Sequence, residues 1–215
     1  MFDYKLLFSP YFSHPDPTVK RKSGFLTPTY ATSASLGTSF NFPYFKVLGP
    51  DKDLTLSPRY YADKSILLQN EYRQALKDSD IISDFSVLVG DAGTKGHFFY
   101  NHGGKYNDET NYVINLQNVR GDNYIKTYNL VESSEIITRD NVLLSNLDLS
   151  WNFDDTKLDT SIQIYEDLSK TDDRFQYILP AFNLNKNIEI PENYNGSFNF
   201  NSSGHNKHYN SNVFE

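Results

Sequence analysis

Apolar and polar residues alternate one by one along much of this chain. In residues 66–76, ILLQNEYRQAL, strict alternation puts Ile66, Leu68, Tyr72 and Leu76 on one side of an extended chain and Leu67, Gln69, Glu71 and Arg73 on the other. A period of two over roughly ten residues predicts a strand whose two faces meet unlike surroundings. The same period runs through residues 54–60, 85–91, 112–118, 143–153 and 158–164. Residues 175–184 and 197–201 read as less regular strands. Short polar breaks at residues 62–65, 77–80, 107–109 and 154–155 predict tight turns, and residues 118–141 and 186–195 predict longer polar loops. Strands of about 9–11 residues suit a tilted membrane crossing better than the ~5–6 of soluble sheets. Alternation alone is met equally by a membrane barrel and by a soluble β-sandwich with one wet face per sheet.

Composition narrows the classes. The 215 residues include 16 Tyr, 16 Phe and 22 Asn, so aromatic and amide side chains replace the usual helix formers, which favours an all-β chain. That aromatic content also argues against wholesale disorder. A net charge of −7 argues against a nucleic-acid partner. The absence of cysteine excludes a disulfide scaffold and a thiolate zinc site. No apolar run approaches the ~20 residues of a spanning helix, and no signal-peptide pattern is visible at the N-terminus.

Local motifs add little chemistry. Arg120-Gly121-Asp122 reads as the start of a polar loop, and the sequons at Asn195 and Asn201 matter only in a secretory pathway that glycosylates them. Residues 90–96, GDAGTKG, lack the ending of a phosphate-binding loop and read as a turn. Asp51-Lys52-Asp53 reads as a solvated turn. His97, His102, His205 and His208 have no acids at matched spacing, so ordinary strand or loop histidines are expected rather than a metal site. No nucleophile–base pattern stands out, and neither an enzyme activity nor a cofactor is expected.

Three blocks of sequence carry a resemblance. The first is Pro10-Tyr11-Phe12, Pro15, the basic run Lys20-Arg21-Lys22, and Ser23-Gly24-Phe25-Leu26-Thr27-Pro28. The second is Pro43-Tyr44-Phe45, then residues 53–60, DLTLSPRY, and Asn70-Glu71-Tyr72-Arg73. A looser third is Tyr165-Glu166-Asp167-Leu168 with Tyr177-Ile178-Leu179-Pro180. In order and spacing these resemble the start of the barrel region of the LPS-assembly protein LptD family, also called organic solvent tolerance proteins. The likeness is dense over residues 9–73 and thinner beyond.

The resemblance implies an antiparallel transmembrane β-barrel, present here as an incomplete, open, curved sheet of about ten strands. Residues 1–13 are expected to end a periplasmic jellyroll or connector, and residues 14–215 to form the first barrel strands, truncated at the C-terminus. It implies a bacterial outer-membrane translocon that inserts lipopolysaccharide through a laterally opening seam. The implied partners are lipopolysaccharide, outer-membrane lipid, the LptE lipoprotein plug and, through a jellyroll domain, the periplasmic LptA bridge. Pro10, Pro15 and Pro28 are the expected seam residues, because proline donates no ladder hydrogen bond. Lys20, Arg21 and Lys22 are candidate contacts for lipid head-group phosphates. A lectin-like sandwich and another outer-membrane barrel, such as a porin, are the alternatives. Leu68, Tyr72, Leu147, Leu149, Trp151 and Ile162 are expected to face lipid, and Gln69, Glu71, Arg73, Asp148 and Gln163 the interior.

Overall fold

The computed structural model describes residues 21–90, 93–191 and 196–209. These residues form one antiparallel sheet, not two packed sheets, so the sandwich alternative fails on architecture. The strands are β1 (Gly24–Phe25), β2 (Thr29–Ser33), β3 (Gly37–Asn41), β4 (Tyr44–Val47), β5 (Lys52–Tyr61), β6 (Ile66–Ala75) and β7 (Ser79–Val89). They continue with β8 (Lys95–Lys105), β9 (Thr110–Arg120), β10 (Val142–Phe153), β11 (Thr156–Asp167), β12 (Phe175–Ile188) and β13 (Phe198–Tyr209). From β5 onward each strand pairs with the next in sequence, the up-and-down order of a barrel wall. The fold is therefore an incomplete barrel of 13 strands.

The strand count exceeds the expected ten partly because the first two passes are each broken. β1 pairs with β4 through Gly24 opposite Phe45 and Phe25 opposite Tyr44. Pairing resumes with Thr29 opposite Asn41 in β2 and β3. Between these points Leu26, Thr27 and Pro28 face only Phe42 and Pro43, a bulge at two residues that lack an N–H. The break continues across the next strand: β5 leaves β4 at Leu56 and meets β3 at Arg59, with Pro58 between. The Phe42 N–H donates to the Pro58 carbonyl and the Leu26 N–H to the Pro43 carbonyl, at 3.1 and 2.9 Å, so single bonds hold each crossing.

Register assigns the two faces. Gln69 stands opposite Ser86, Ser86 opposite His97, and His97 opposite Val119, so these side chains share one face. Leu68, Val87 and Phe85 share the other. That second face carries exposed Phe85, Val87, Phe98, Leu116, Leu147, Ile162 and Phe182, an apolar surface too extensive for water to favour. The expected sidedness holds at every residue named above: Leu147, Leu149, Trp151 and Ile162 lie in register on the apolar face, and Asp148 and Gln163 on its opposite.

The core is asymmetric. Residues 121–141, between β9 and β10, do not extend away as a polar loop. They turn back over the inner face through α1 (Tyr124–Thr127) and a 3₁₀ turn, Leu130–Ser133. Tyr124, Ile125 and Leu130 are fully buried against Leu67, Leu88 and Phe99 of β6, β7 and β8. Burying side chains of this size stabilises by about 1.5–3 kcal/mol each, which outweighs the weak intrinsic helicity of one turn. The expectation of a plain polar loop over residues 118–141 is thereby corrected, and β9 runs to Arg120. Residues 186–195 are likewise shorter as a loop than expected, because β12 extends to Ile188.

Candidate functional site

The inner face of β5 to β8 and the segment packed on it form the most developed polar site among the described residues. Gln69 on β6 reaches the segment twice: its Nε2 donates to the Ser133 carbonyl at 3.2 Å, and its Oε1 accepts from Ser133 Oγ at 2.9 Å. The same Nε2 donates to Asp84 on β7 at 3.3 Å. His97 Nε2 lies 3.0 Å from the other Asp84 oxygen. His97 Nδ1 lies 2.6 Å from Ser86 Oγ, which in turn lies 2.6 Å from the Tyr124 hydroxyl.

The donors along this chain follow from the carboxylate. An ionised Asp84 only accepts, so His97 Nε2 carries a hydrogen. In a neutral ring Nδ1 then accepts from Ser86, and Ser86 accepts from Tyr124. Burial raises the Tyr124 phenol well above its ordinary value, which keeps it a donor. Asp84 and His97 have no exposed side-chain surface. A buried carboxylate bonded by both Gln69 and His97 is stable; one with a partner removed is costly. The continuous chain Ser133–Gln69–Asp84–His97–Ser86–Tyr124 therefore fastens both turns of the inward segment to the wall.

Sequence reading found no nucleophile–base pattern, yet the fold brings a serine, a histidine and an aspartate into hydrogen-bond contact. Their setting suits anchoring. Ser86 is 8% exposed and capped by Tyr124, so its hydroxyl meets a protein partner on each side. The signal missed in the sequence is the in-register spacing of Gln69, Asp84, Ser86 and His97 on inward positions of three successive strands. A second missed signal is the apolar set Tyr124, Ile125, Tyr128 and Leu130 inside an otherwise polar stretch.

A charged cluster lies further along the same face. Asp53 on β5 is 1% exposed and accepts from Arg73 Nε at 3.0 Å and from the Arg21 guanidinium. Arg73 also contacts Glu71 and, on the inward segment, Glu135, each at 3.5 Å. Arg21 lies over the Phe45 ring at 5.9 Å. The stretch before β1 is thus tied through Asp53 and Arg73 to the inward segment. Amides line the wall beyond: Asn115 Nδ2 donates to Asn146 at 2.9 Å, and Asn199 Nδ2 to Asn185 and Asn187 at 2.7 and 2.6 Å.

The sequence-expected residues are distributed as follows. Pro10, Pro15 and Lys20 lie outside the described residues. Pro28 sits between β1 and β2, on the terminal pass of the sheet, within the bulge. Lys22 is exposed, whereas Arg21 is engaged by Asp53. His205 and His208 are on β13, and His102 is on β8 with its Nε2 2.9 Å from the Tyr112 hydroxyl. No group of three metal-ligating residues occurs among the described residues.

An up-and-down antiparallel wall with an oily outer face, an amide-lined inner face and an inward-folded segment defines a partial outer-membrane-type barrel. Comparison with known proteins gives the family. The model for LptD, described as LPS transport system D, matches residues 93–213, more than half of the chain. The chain belongs to the LptD family.

Individual relatives agree. The LPS-assembly protein LptD of Pseudoalteromonas atlantica is 26% identical over 194 residues, 88% of this chain and 25% of that protein. That of Shewanella sp. is 27% identical over 189 residues, 85% of this chain and 24% of that protein. That of Bordetella pertussis is 44% identical over 71 residues, 33% of this chain and 9% of that protein. The chain spans at most about a quarter of the length of these relatives.

Proposed function

We propose that this chain forms the leading part of the wall of an outer-membrane translocon that places lipopolysaccharide in the outer leaflet. Residues 1–13 end a periplasmic jellyroll or connector, and residues 14–215 begin the barrel. Lipopolysaccharide leaves sideways through a seam at the first strand, without bond-making chemistry. The LptE lipoprotein occupies the barrel as a plug, and the LptA bridge delivers substrate through the jellyroll. Membership of the LptD family and the relatives' printed name, LPS-assembly protein, support this reading. So does the apolar outer face. The end that carries residues 121–141 faces outward, as longer connections do in such barrels.

The observation that carries the seam is the break at Pro28. The first pass makes two paired positions in β1, then a bulge, then five in β2. In lipid every unpaired backbone group is costly, so a closed barrel zips most weakly where prolines remove donors. Pro10 and Pro15 add to the same edge in this reading. Lys20 and Lys22, with Arg21 where Asp53 releases it, meet head-group phosphates.

In the whole protein, Pro10→Ala with Pro28→Ala restores donors. Each restored bond strengthens the seam by up to ~1 kcal/mol in water and more in lipid. Surface lipopolysaccharide should fall and sensitivity to hydrophobic antibiotics rise, at normal protein level. Unchanged surface lipopolysaccharide in the double variant overturns the seam.

A further inference from the structure

We propose that Arg21, Asp53, Arg73 and Glu135 form a relay through which a phosphate group captured by Arg21 loosens the inward segment. Arg21 precedes β1 and Glu135 lies on the inward segment, while Asp53 and Arg73 stand opposite each other on β5 and β6. Two guanidinium groups meet three carboxylates here. Arg21 engages Asp53, and Arg73 engages Asp53 at 3.0 Å and both Glu71 and Glu135 at 3.5 Å. The cluster is one positive charge short, so the hold on each carboxylate depends on where the two cations stand. Exposure ranks the acids: the side chain of Asp53 is 1% exposed, that of Glu71 18% and that of Glu135 58%. The Arg21 side chain is 51% exposed, so a ligand can reach it while Asp53 beneath it stays sealed.

The order of exchange follows from charge and burial. A phosphate monoester carries more negative charge than a carboxylate and takes a guanidinium fork through two oxygens. Arg21 therefore turns from Asp53 to an arriving phosphate. Asp53 has no access to water, and a buried carboxylate short of a partner is costly, so Arg73 is drawn onto it. Arg73 then gives up the carboxylate that loses least on release. That is Glu135, the most hydrated of the three and held by one of the two longer contacts. Glu135 belongs to the inward segment, so its release frees the stretch beyond Ser133. Ser133 stays bonded to Gln69, and Tyr124 stays bonded to Ser86, so the response is a local loosening and not ejection of the segment. Linkage makes the effect reciprocal: a loosened segment favours phosphate at Arg21. In the export reading, on which this inference rests, the phosphate belongs to the head group of the exported lipid.

The test uses the whole protein in detergent and reads amide hydrogen exchange of residues 134–138 by mass spectrometry, with residues 97–105 of β8 as the internal reference. The probes are lipopolysaccharide, the same lipopolysaccharide stripped of phosphate, inorganic phosphate, and sodium chloride at matched ionic strength. Lipopolysaccharide should raise exchange about two- to fivefold, the scale of an exposed ion pair, and the stripped form and chloride should not. An equal response to inorganic phosphate supports the relay and assigns the trigger to phosphate from any source; a response to lipopolysaccharide alone assigns it to the head group. Arg21→Gln should show the raised exchange without ligand, whereas Lys22→Gln, which leaves the cluster intact, should exchange as wild type. Adding Arg21→Gln to Glu135→Gln should change nothing further, because the released carboxylate is already gone. Heat-modifiable migration checks that each variant folds, and the ligand series on wild type decides the matter should Arg21→Gln fail to fold. No response of wild type to lipopolysaccharide, or an equal response to the stripped form, overturns the phosphate trigger. Wild-type exchange in Arg21→Gln overturns the relay. Loss of surface lipopolysaccharide on depletion of a protein without the response removes the relay and keeps the export reading. The response to inorganic phosphate in a protein whose depletion leaves surface lipopolysaccharide normal does the reverse.

Discussion

At the scale of single residues, His97 is the centre of the anchoring chain, and its removal is the most informative change. In His97→Ala, Asp84 keeps only Gln69 and stays buried beneath the inward segment. Leaving a buried charged acceptor short of a donor costs roughly 1.5–3 kcal/mol. Lifting the segment rehydrates Asp84 and relieves that cost, so the open form gains population by roughly ten- to hundredfold. Amide hydrogen exchange at Thr127 and Tyr128, both bonded to backbone carbonyls in α1, should accelerate by that factor. His97→Gln keeps a donor for Asp84 and an acceptor for Ser86 and should recover part of the protection. Exchange equal to wild type in His97→Ala would remove the network from the forces that hold the segment. The sequence placed His97 correctly on a strand. Its partners were hidden because they sit on neighbouring strands, and pairing register is a property of the sheet, not of any local window.

At the scale of elements, the inward segment is also tied to the connection after β11. Arg174 donates to Asp122 at 2.8 Å and to Glu166 at 2.7 Å. The Arg174 hydrogen bond holds Asp122 below the ordinary aspartate value of 3.8. A carboxylate with a depressed folded value stabilises fully above the ordinary value, and the contribution is lost as pH falls through the depressed one. Asp122 is half exposed, so the tether is worth under ~1 kcal/mol and is screened by salt. Exchange of the amides around Asp122 should therefore rise modestly below about pH 4 or in 1 M salt, and Arg174→Ala should abolish both responses. A response that persists in Arg174→Ala would assign it to other groups. Most strands were legible because alternation with period two is local. β7 begins earlier than expected, at Ser79, because Asp80 and Asp84 look like turn residues until the inner face supplies Gln69 and His97 as neighbours. The inward segment was not legible: its buried Tyr124, Ile125 and Leu130 are diluted by Asn, Asp and Ser, and only the facing wall makes that set a core. The breaks at Pro43 and Pro58 escaped for a related reason. Each proline reads locally as part of a strand, and only the cross-strand alignment with Pro28 reveals a line of weakened pairing.

At the scale of the whole molecule, the two faces of one sheet are matched to two solvents, and adjacent residues on a strand test that directly. Ile162 and Gln163 are neighbours on β11, Ile162 opposite Leu147 and Gln163 opposite Asn146. Ile162 stands exposed in an apolar surface, which in water would be a liability and in lipid is the stable choice. Gln163 shares its face with Asn146, Asp148 and Ser161, where hydrogen-bonding groups remain hydrated. Placing arginine on the lipid face near the bilayer midplane costs about 2–4 kcal/mol, whereas an interior position tolerates it at little cost. Ile162→Arg in the whole protein should therefore lower the temperature at which the barrel loses its compact gel migration, and reduce the folded amount in outer membranes. Gln163→Arg should leave both near wild type, helped by Asp148 on the adjacent strand. The pair shares backbone position, strand and substituent, so a difference between them reports the surroundings of the two faces alone. Equal tolerance of arginine at both sites would mean that the apolar face meets water or protein in place of lipid. A larger cost at Gln163 would mean that the faces are assigned in reverse, and with them the buried anchoring network.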